Sequence, residues 1–225
     1  HLGVEVEHFF MLGGESADLV TGHHAQYVDD PPNVWSTSYG SAIGQCTQVN
    51  ENSESVFPGN RIELYDGFFA SPTLPTTWLI HLEHSEAGSE TDNRLDMTQS
   101  EWATYGIWIY ITVSPYVFRV LTFEAGTNSP DLDLTGNYYD RPVAFIVHYN
   151  PTTQDLRMAA DGNAITHTGI PNWVTAPDGR DSWLFAEWAS NLDGNIWAAA
   201  KMVGALSEEQ CRSLSINPYQ LLQPA

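Results

Sequence analysis

Gly106-Ile107-Trp108-Ile109-Tyr110-Ile111-Thr112-Val113 decides the fold class. Ile107, Ile109, Ile111 and Val113 fall on one side of an extended chain, and Trp108, Tyr110 and Thr112 on the other. That period of two belongs to a β-strand with one buried face, and β-branched and aromatic residues suit its pleated surface. The aliphatic side predicts core, whereas the aromatic side can meet water or a ligand.

Runs of the same kind recur on both sides of this stretch. Val4–Met11, Arg61–Leu64, Trp78–His84, Tyr116–Phe123, Val143–Tyr149, Asp155–Ala160, Trp183–Ala186 and Asn195–Ala200 all read as strands. Between many of them lie Pro, Gly, Asn, Asp and Ser clusters such as Asp29–Asn33, Ser71–Pro75, Gly126–Pro130 and Pro171–Asp181. In Trp78–His84 the expected core set is Trp78, Ile80 and Leu82, which leaves Leu79, His81 and Glu83 on the opposite face. One helix is expected, near 207–215. Ser207-Glu208-Glu209-Gln210 has the form of a capping box, Cys211 and Leu214 share its buried side, and Pro218 follows its end. No composition shift or repeat divides the chain. The expectation is therefore a single all-β domain over 1–225: a two-sheet antiparallel β-sandwich with one short C-terminal helix and adjacent N- and C-terminal strands.

Composition narrows the function. The 225 residues carry 28 acidic groups against seven Arg and the single Lys201, a net charge of −20. So few cations cannot neutralise a run of phosphates, so no nucleic-acid partner is expected, and an anionic membrane surface is disfavoured for the same reason. The best apolar stretch, residues 105–113, is far shorter than the roughly 18 residues that span a bilayer, so no membrane insertion is expected. Cys46 and Cys211 make neither a disulfide framework nor a metal spacing.

Three ordered segments resemble the laminin-G-like branch of the concanavalin A-like lectin/glucanase jelly rolls. Phe10-Met11-Leu12-Gly13-Gly14-Glu15, Ala17-Asp18-Leu19-Val20-Thr21-Gly22-His23-His24 and Gly40-Ser41-Ala42-Ile43-Gly44 are similar to the family's opening. Arg141–Tyr149 followed by Leu156-Arg157-Met158-Ala159-Ala160-Asp161-Gly162 resembles its central hairpin, with Asp-Gly as a tight turn. Asp193–Trp197, Ala205–Glu209 and Ser215-Ile216-Asn217-Pro218-Tyr219-Gln220-Leu221-Leu222 resemble its last strand and closing helix. Met158-Ala159-Ala160 departs from the Tyr-Val pattern expected there, and Asn50–Pro75 matches nothing in it. The resemblance implies a jelly roll. It also implies a possible calcium ion, for which Asp18 and Asp193 are the metal candidates; no other cofactor is implied. The Asn217–Leu222 tail is similar to tails on phage and marine bacterial members.

Catalysis is not expected. The glucanases of this fold use Glu-x-Asp-x-x-Glu, but here Glu90-Thr91-Asp92-Asn93-Arg94-Leu95 ends in leucine. His81, Glu83 and His148 on one exposed sheet face are the candidate base, orienter and ligand contacts. His81 and His84 point to opposite faces and cannot chelate together. Trp108 with Tyr110 is the first aromatic pair expected to touch a ligand. Trp78, Trp183 and Trp197 are expected in the core, and Trp35, Trp102 and Trp173 in loops.

Two functions follow. The first is a non-catalytic virion surface protein, such as a capsid decoration of a tailed marine phage, present in multiple copies and touching the capsid shell. The alternative is a carbohydrate-binding module, extracellular or secreted, whose partner is a cell-surface glycan.

Overall fold

A computed structural model describes residues 2–12, 18–28, 35–41, 44–49, 61–64, 67–85, 97–98, 106–113, 116–124, 127–138, 140–173, 183–184 and 193–222. They form two antiparallel sheets of eight strands each. The first sheet runs β14 (Asn163–His167), β13 (Asp155–Ala160), β12 (Pro142–Asn150), β6 (Thr76–Ser85), β16 (Asp193–Val203), β4 (Gly44–Val49) and β3 (Trp35–Ser41). β1 (Glu5–Met11) shares the β4 edge of β16, so the first and last strands pair as expected. The second sheet runs β10 (Thr127–Asn128), β9 (Tyr116–Glu124), β8 (Gly106–Val113), β7 (Met97–Thr98), β15 (Trp183–Leu184), β5 (Arg61–Glu63) and β2 (Gln26–Val28), with β11 (Leu132–Thr135) also on β9. The chain is an all-β sandwich with one short C-terminal helix.

Alternation built the core as the sequence predicts. Ile107, Ile109 and Ile111 of β8 meet Trp78, Ile80 and Leu82 of β6 and Val143, Phe145 and Val147 of β12 in one buried cluster between the sheets. Large aromatics need partners for their polar tips when buried. Trp78 Nε1 donates to the Phe68 carbonyl at 2.6 Å, Trp173 Nε1 to the Phe69 carbonyl at 3.2 Å, and Tyr149 Oη to the Ile170 carbonyl at 2.8 Å. Trp173 is thus a core residue, not an exposed loop ring, and its indole packs 5.5 Å from that of Trp78. Trp35 lies in strand β3 rather than in a loop.

The helix, α1 (Glu208–Ile216), starts on a full capping box. Ser207 Oγ accepts from Gln210 N at 3.2 Å, and Gln210 Oε1 accepts from Ser207 N at 2.8 Å. It lies across β12, β13 and β14 on the side of the first sheet away from the core. Cys211 and Leu214 bury there against Phe9, Leu79, Ile146, Ala159, Ala198 and Ala200. The alanines let the helix sit close to the sheet. A 3-10 turn (Pro218–Leu222) then continues over the same face, and Tyr219 and Leu221 pack against the same cluster. This layer overturns the expectation that His81 and His148 lie on an exposed face: they are 5% and 0% exposed.

Candidate functional site

The end of α1 and the 3-10 turn leave a groove of about 500 Å³ above β6 and β12. Its floor is His81, which points away from the core because it alternates with Ile80 and Leu82. A β-bulge between Ile196 and Ala198 interrupts the pairing of β16 with β6, so Trp197 is the extra residue beside His81. The two rings lie 5.1 Å apart at 33°. Tyr219 meets His81 edge-on at 5.4 Å, and its hydroxyl is hydrogen-bonded to His81 Nδ1 at 2.9 Å. Burial pushes the imidazole down to about 4 and the Tyr219 phenol up to about 12. Both are therefore uncharged at neutral pH. A neutral imidazole has one donor and one acceptor nitrogen, and Nδ1 is the one that meets Tyr219.

The rim is charged. β13 and β14 join through Asp161-Gly162, with φ of +50° and +75°, the left-handed pair that a tight hairpin turn demands. The turn holds Asp161 at the groove, where its carboxylate accepts from Arg141 Nη2 at 2.6 Å. That bond, foremost, holds Asp161 below the usual carboxylate range and raises Arg141. Ser215, Asn217 and Pro218 complete the helix-side wall.

The remaining sequence candidates are dispersed. Glu83 shares the outward face of β6, is half-buried, and accepts from Asn195 Nδ2 at 3.3 Å. His148 is fully buried, with Nδ1 2.8 Å from Thr77 Oγ1 and Nε2 without a partner among the described residues. Register places His81 opposite Ala144, four residues from His148 along β12, or roughly 13 Å. The two imidazoles therefore cannot act as a base and its orienter. Trp108 stands on the outer face of the second sheet, half-buried against Phe123 at 4.9 Å, with Nε1 buried and unpartnered. Tyr110 sits opposite Arg119 in the register, and its side chain lies outside the described residues.

Asp18 and Asp193 do not converge on one ion. Asp18 bridges to Phe10, which pairs with Ala199; Asp193 begins β16 six residues earlier, roughly 20 Å away. The Asp18 carboxylate is also engaged, accepting from Phe9 N at 2.8 Å, Val20 N at 3.0 Å and Thr21 Oγ1, with His8 Nδ1 at 2.6 Å. Burial opposes its ionisation, but those hydrogen bonds prevail and hold it below the ordinary range. It pins the turn after β1. The side chain of Asp193 lies outside the described residues, as do Glu90–Leu95 and Trp102.

No protein-family model and no curated protein sequence matches the chain. Solved structures do. Domain 4 of AbnA, a GH43 extracellular arabinanase from Geobacillus stearothermophilus, in complex with arabinotriose, is similar at a TM-score of 0.65 and 13% identity, over 94% of this chain and 98% of that one. The CBM40 of the Ruminococcus gnavus IT-sialidase, bound to α2,6-sialyllactose, is similar at a TM-score of 0.52 and 13% identity, over 69% of this chain and 96% of that one. The binding domain of Paraclostridial Mosquitocidal Protein 1 reaches a TM-score of 0.69 at 11% identity, over 96% of this chain and 52% of that one. Solved saccharide-bound domains share this fold. The structural neighbours named here are β-sandwich binding domains, and at these identities the likeness concerns architecture.

Most of the groove was invisible to sequence reasoning. Tyr219 lay in the singled-out tail and Asp161 in the recognised turn, yet neither carried a ligand-binding signal. Trp197 is buried, as expected, and the bulge that sets its ring beside His81 cannot be read from an apolar run.

Proposed function

We propose that the chain is a saccharide-binding domain and that the groove over His81 holds the ligand. The observation that carries this reading is the groove itself: an uncharged imidazole at its floor and an uncharged phenol set edge-on to it in the wall, beside the Asp161–Arg141 ion pair. Sugars have apolar C–H faces that pack on rings and hydroxyls that both donate and accept, and this groove offers both kinds of contact. The volume falls in the ordinary range for a small-ligand site, about 300–1,000 Å³. The arabinotriose and sialyllactose complexes of the similar domains support the reading. It places the protein's work outside the cell, where glycans are displayed, with binding rather than turnover as the activity.

The virion-surface reading finds no support in the structures named above. The tail that suggested it is used within the fold: Tyr219 and Leu221 pack on the protein's own sheet.

A glycan array followed by titration calorimetry tests the proposal. Tyr219→Phe removes one hydroxyl and keeps the ring, so affinity should fall about tenfold, the worth of one hydrogen bond. Trp108→Ala, on the opposite sheet, should leave affinity unchanged. Absence of binding to every glycan overturns the proposal. Binding lost in Trp108→Ala and kept in Tyr219→Phe would move the site to the aromatic face of the second sheet.

A further inference from the structure

The charge of the groove is decided by very few groups. Its lining holds one ionised side chain, Asp161, and neither Lys nor Arg. Arg141 reaches the rim from the start of β12, donating from Nη2 to Asp161 at 2.6 Å. It also donates to the Asn137 carbonyl from Nη2 at 2.8 Å and from Nε at 3.3 Å. The guanidinium is therefore anchored twice, once by a charge and once by the backbone. Glu83 adds a second carboxylate on the same face of β6, in register with Pro142. At the rim one cation is thus paired with one anion, in a chain whose net charge is −20.

A guanidinium is the group best shaped to receive a sugar carboxylate, through two parallel N–H donors. Here that role is already filled. The turn sets the backbone of Asp161 beside the guanidinium: its φ is +50°, and Gly162 follows at +75°. A methyl group added to Gly162 would meet Ile216 of the helix at 3.3 Å, so the turn is also packed against the groove wall. An incoming carboxylate would have to displace the one already there and then lie close to Asp161. An uncharged sugar meets no such repulsion, and it finds neutral groups at His81 and Tyr219.

Resting on the saccharide reading above, we infer that the groove takes uncharged saccharides and that Asp161 is the residue that excludes acidic ones, by occupying Arg141. Asp161 is a specificity residue and Arg141 is its counter-ion. Removing the charge at 161 leaves the guanidinium in place on the Asn137 carbonyl and free to bind a ligand carboxylate.

The test is Asp161→Asn. Asn also adopts the left-handed backbone, and Asn-Gly is a favoured sequence for this turn, so the hairpin is preserved. Matched ligands that differ in acidity are compared by calorimetry at low and high ionic strength: galactotriose with trigalacturonate, and the methyl ester of α2,6-sialyllactose with α2,6-sialyllactose itself. The wild-type protein should bind the neutral member of a pair about tenfold or more tightly than the acidic one. Asp161→Asn should shift that ratio toward the acidic member by about tenfold, the scale of one charge-assisted hydrogen bond. High salt should weaken the gain, and a further Arg141→Ala change should abolish it. Wild-type protein that binds both members equally overturns this inference and leaves the saccharide reading standing, as does a ratio unmoved in Asp161→Asn. Failure of both proteins to bind any glycan, these pairs included, overturns the saccharide reading, and the inference with it.

Discussion

Lowering the pH from 7 to 5 should destabilise the fold through two buried imidazoles. His81 and His148 are 5% and 0% exposed, and burial pushes each from 6.5 to about 4. For His148 the Arg157 guanidinium reinforces burial and the Asp155 carboxylate opposes it. An unfolded chain takes up these two protons near pH 6.5, whereas the folded chain refuses them until about pH 4. Stability is thus complete above pH 6.5, falls as the pH drops through that window, and changes no further from these groups below it. At pH 5 each unfolded imidazole is almost fully protonated and each folded one mostly neutral. Linkage then gives a loss of about 2 kcal/mol per histidine, or about 4 kcal/mol for both, relative to pH 7. Against a total stability on the order of 5–15 kcal/mol, that loss is readily seen. Urea unfolding followed by tryptophan fluorescence at both pH values measures it. His148→Asn retains a polar atom where Nδ1 meets Thr77 but does not titrate, so its loss between the two pH values should be about 2 kcal/mol. The pH dependence, not the absolute stability, is the readout. Wild-type stability that is equal at pH 7 and 5, or an unchanged dependence in His148→Asn, would refute the reasoning.

Asp18→Asn keeps the size of a carboxylate that accepts from two backbone N–H groups, Thr21 and His8, but it supplies donors where acceptors are needed. The expected cost is about 1–3 kcal/mol in urea unfolding, and a change within error would mean the turn is held by other contacts. Leu214→Ala removes a fully buried side chain from between the helix and the first sheet. It should cost about 2–5 kcal/mol, with the far-ultraviolet spectrum still β-rich, and an effect below 1 kcal/mol would show that the helix layer adds little.

Local chemistry alone was enough for the strands and the helix cap. Gly106–Val113 and Asp155–Ala160 coincide with the strands read from alternation, because half-buried strands write their burial into every second residue. Ser207 and Gln210 announce the helix start, because a capping box is made within four residues. β3, β4, β10 and β14 carried no such signal: their sequences are short or rich in Ser, Thr, Gln and Asn, and they are strands because neighbours pair with them. Function follows the same division. The sequence by itself determined the sandwich, the outward side of His81 and Glu83, and the tight Asp161-Gly162 turn. Only the tertiary structure decided that His148 is buried, that a bulge sets the buried Trp197 ring beside His81, and that Tyr219, Arg141 and Asp161 gather at the groove over His81. Those residues lie far apart in sequence, at 81, 141, 161, 197 and 219, and no local periodicity reports which surfaces a folding chain will bring face to face.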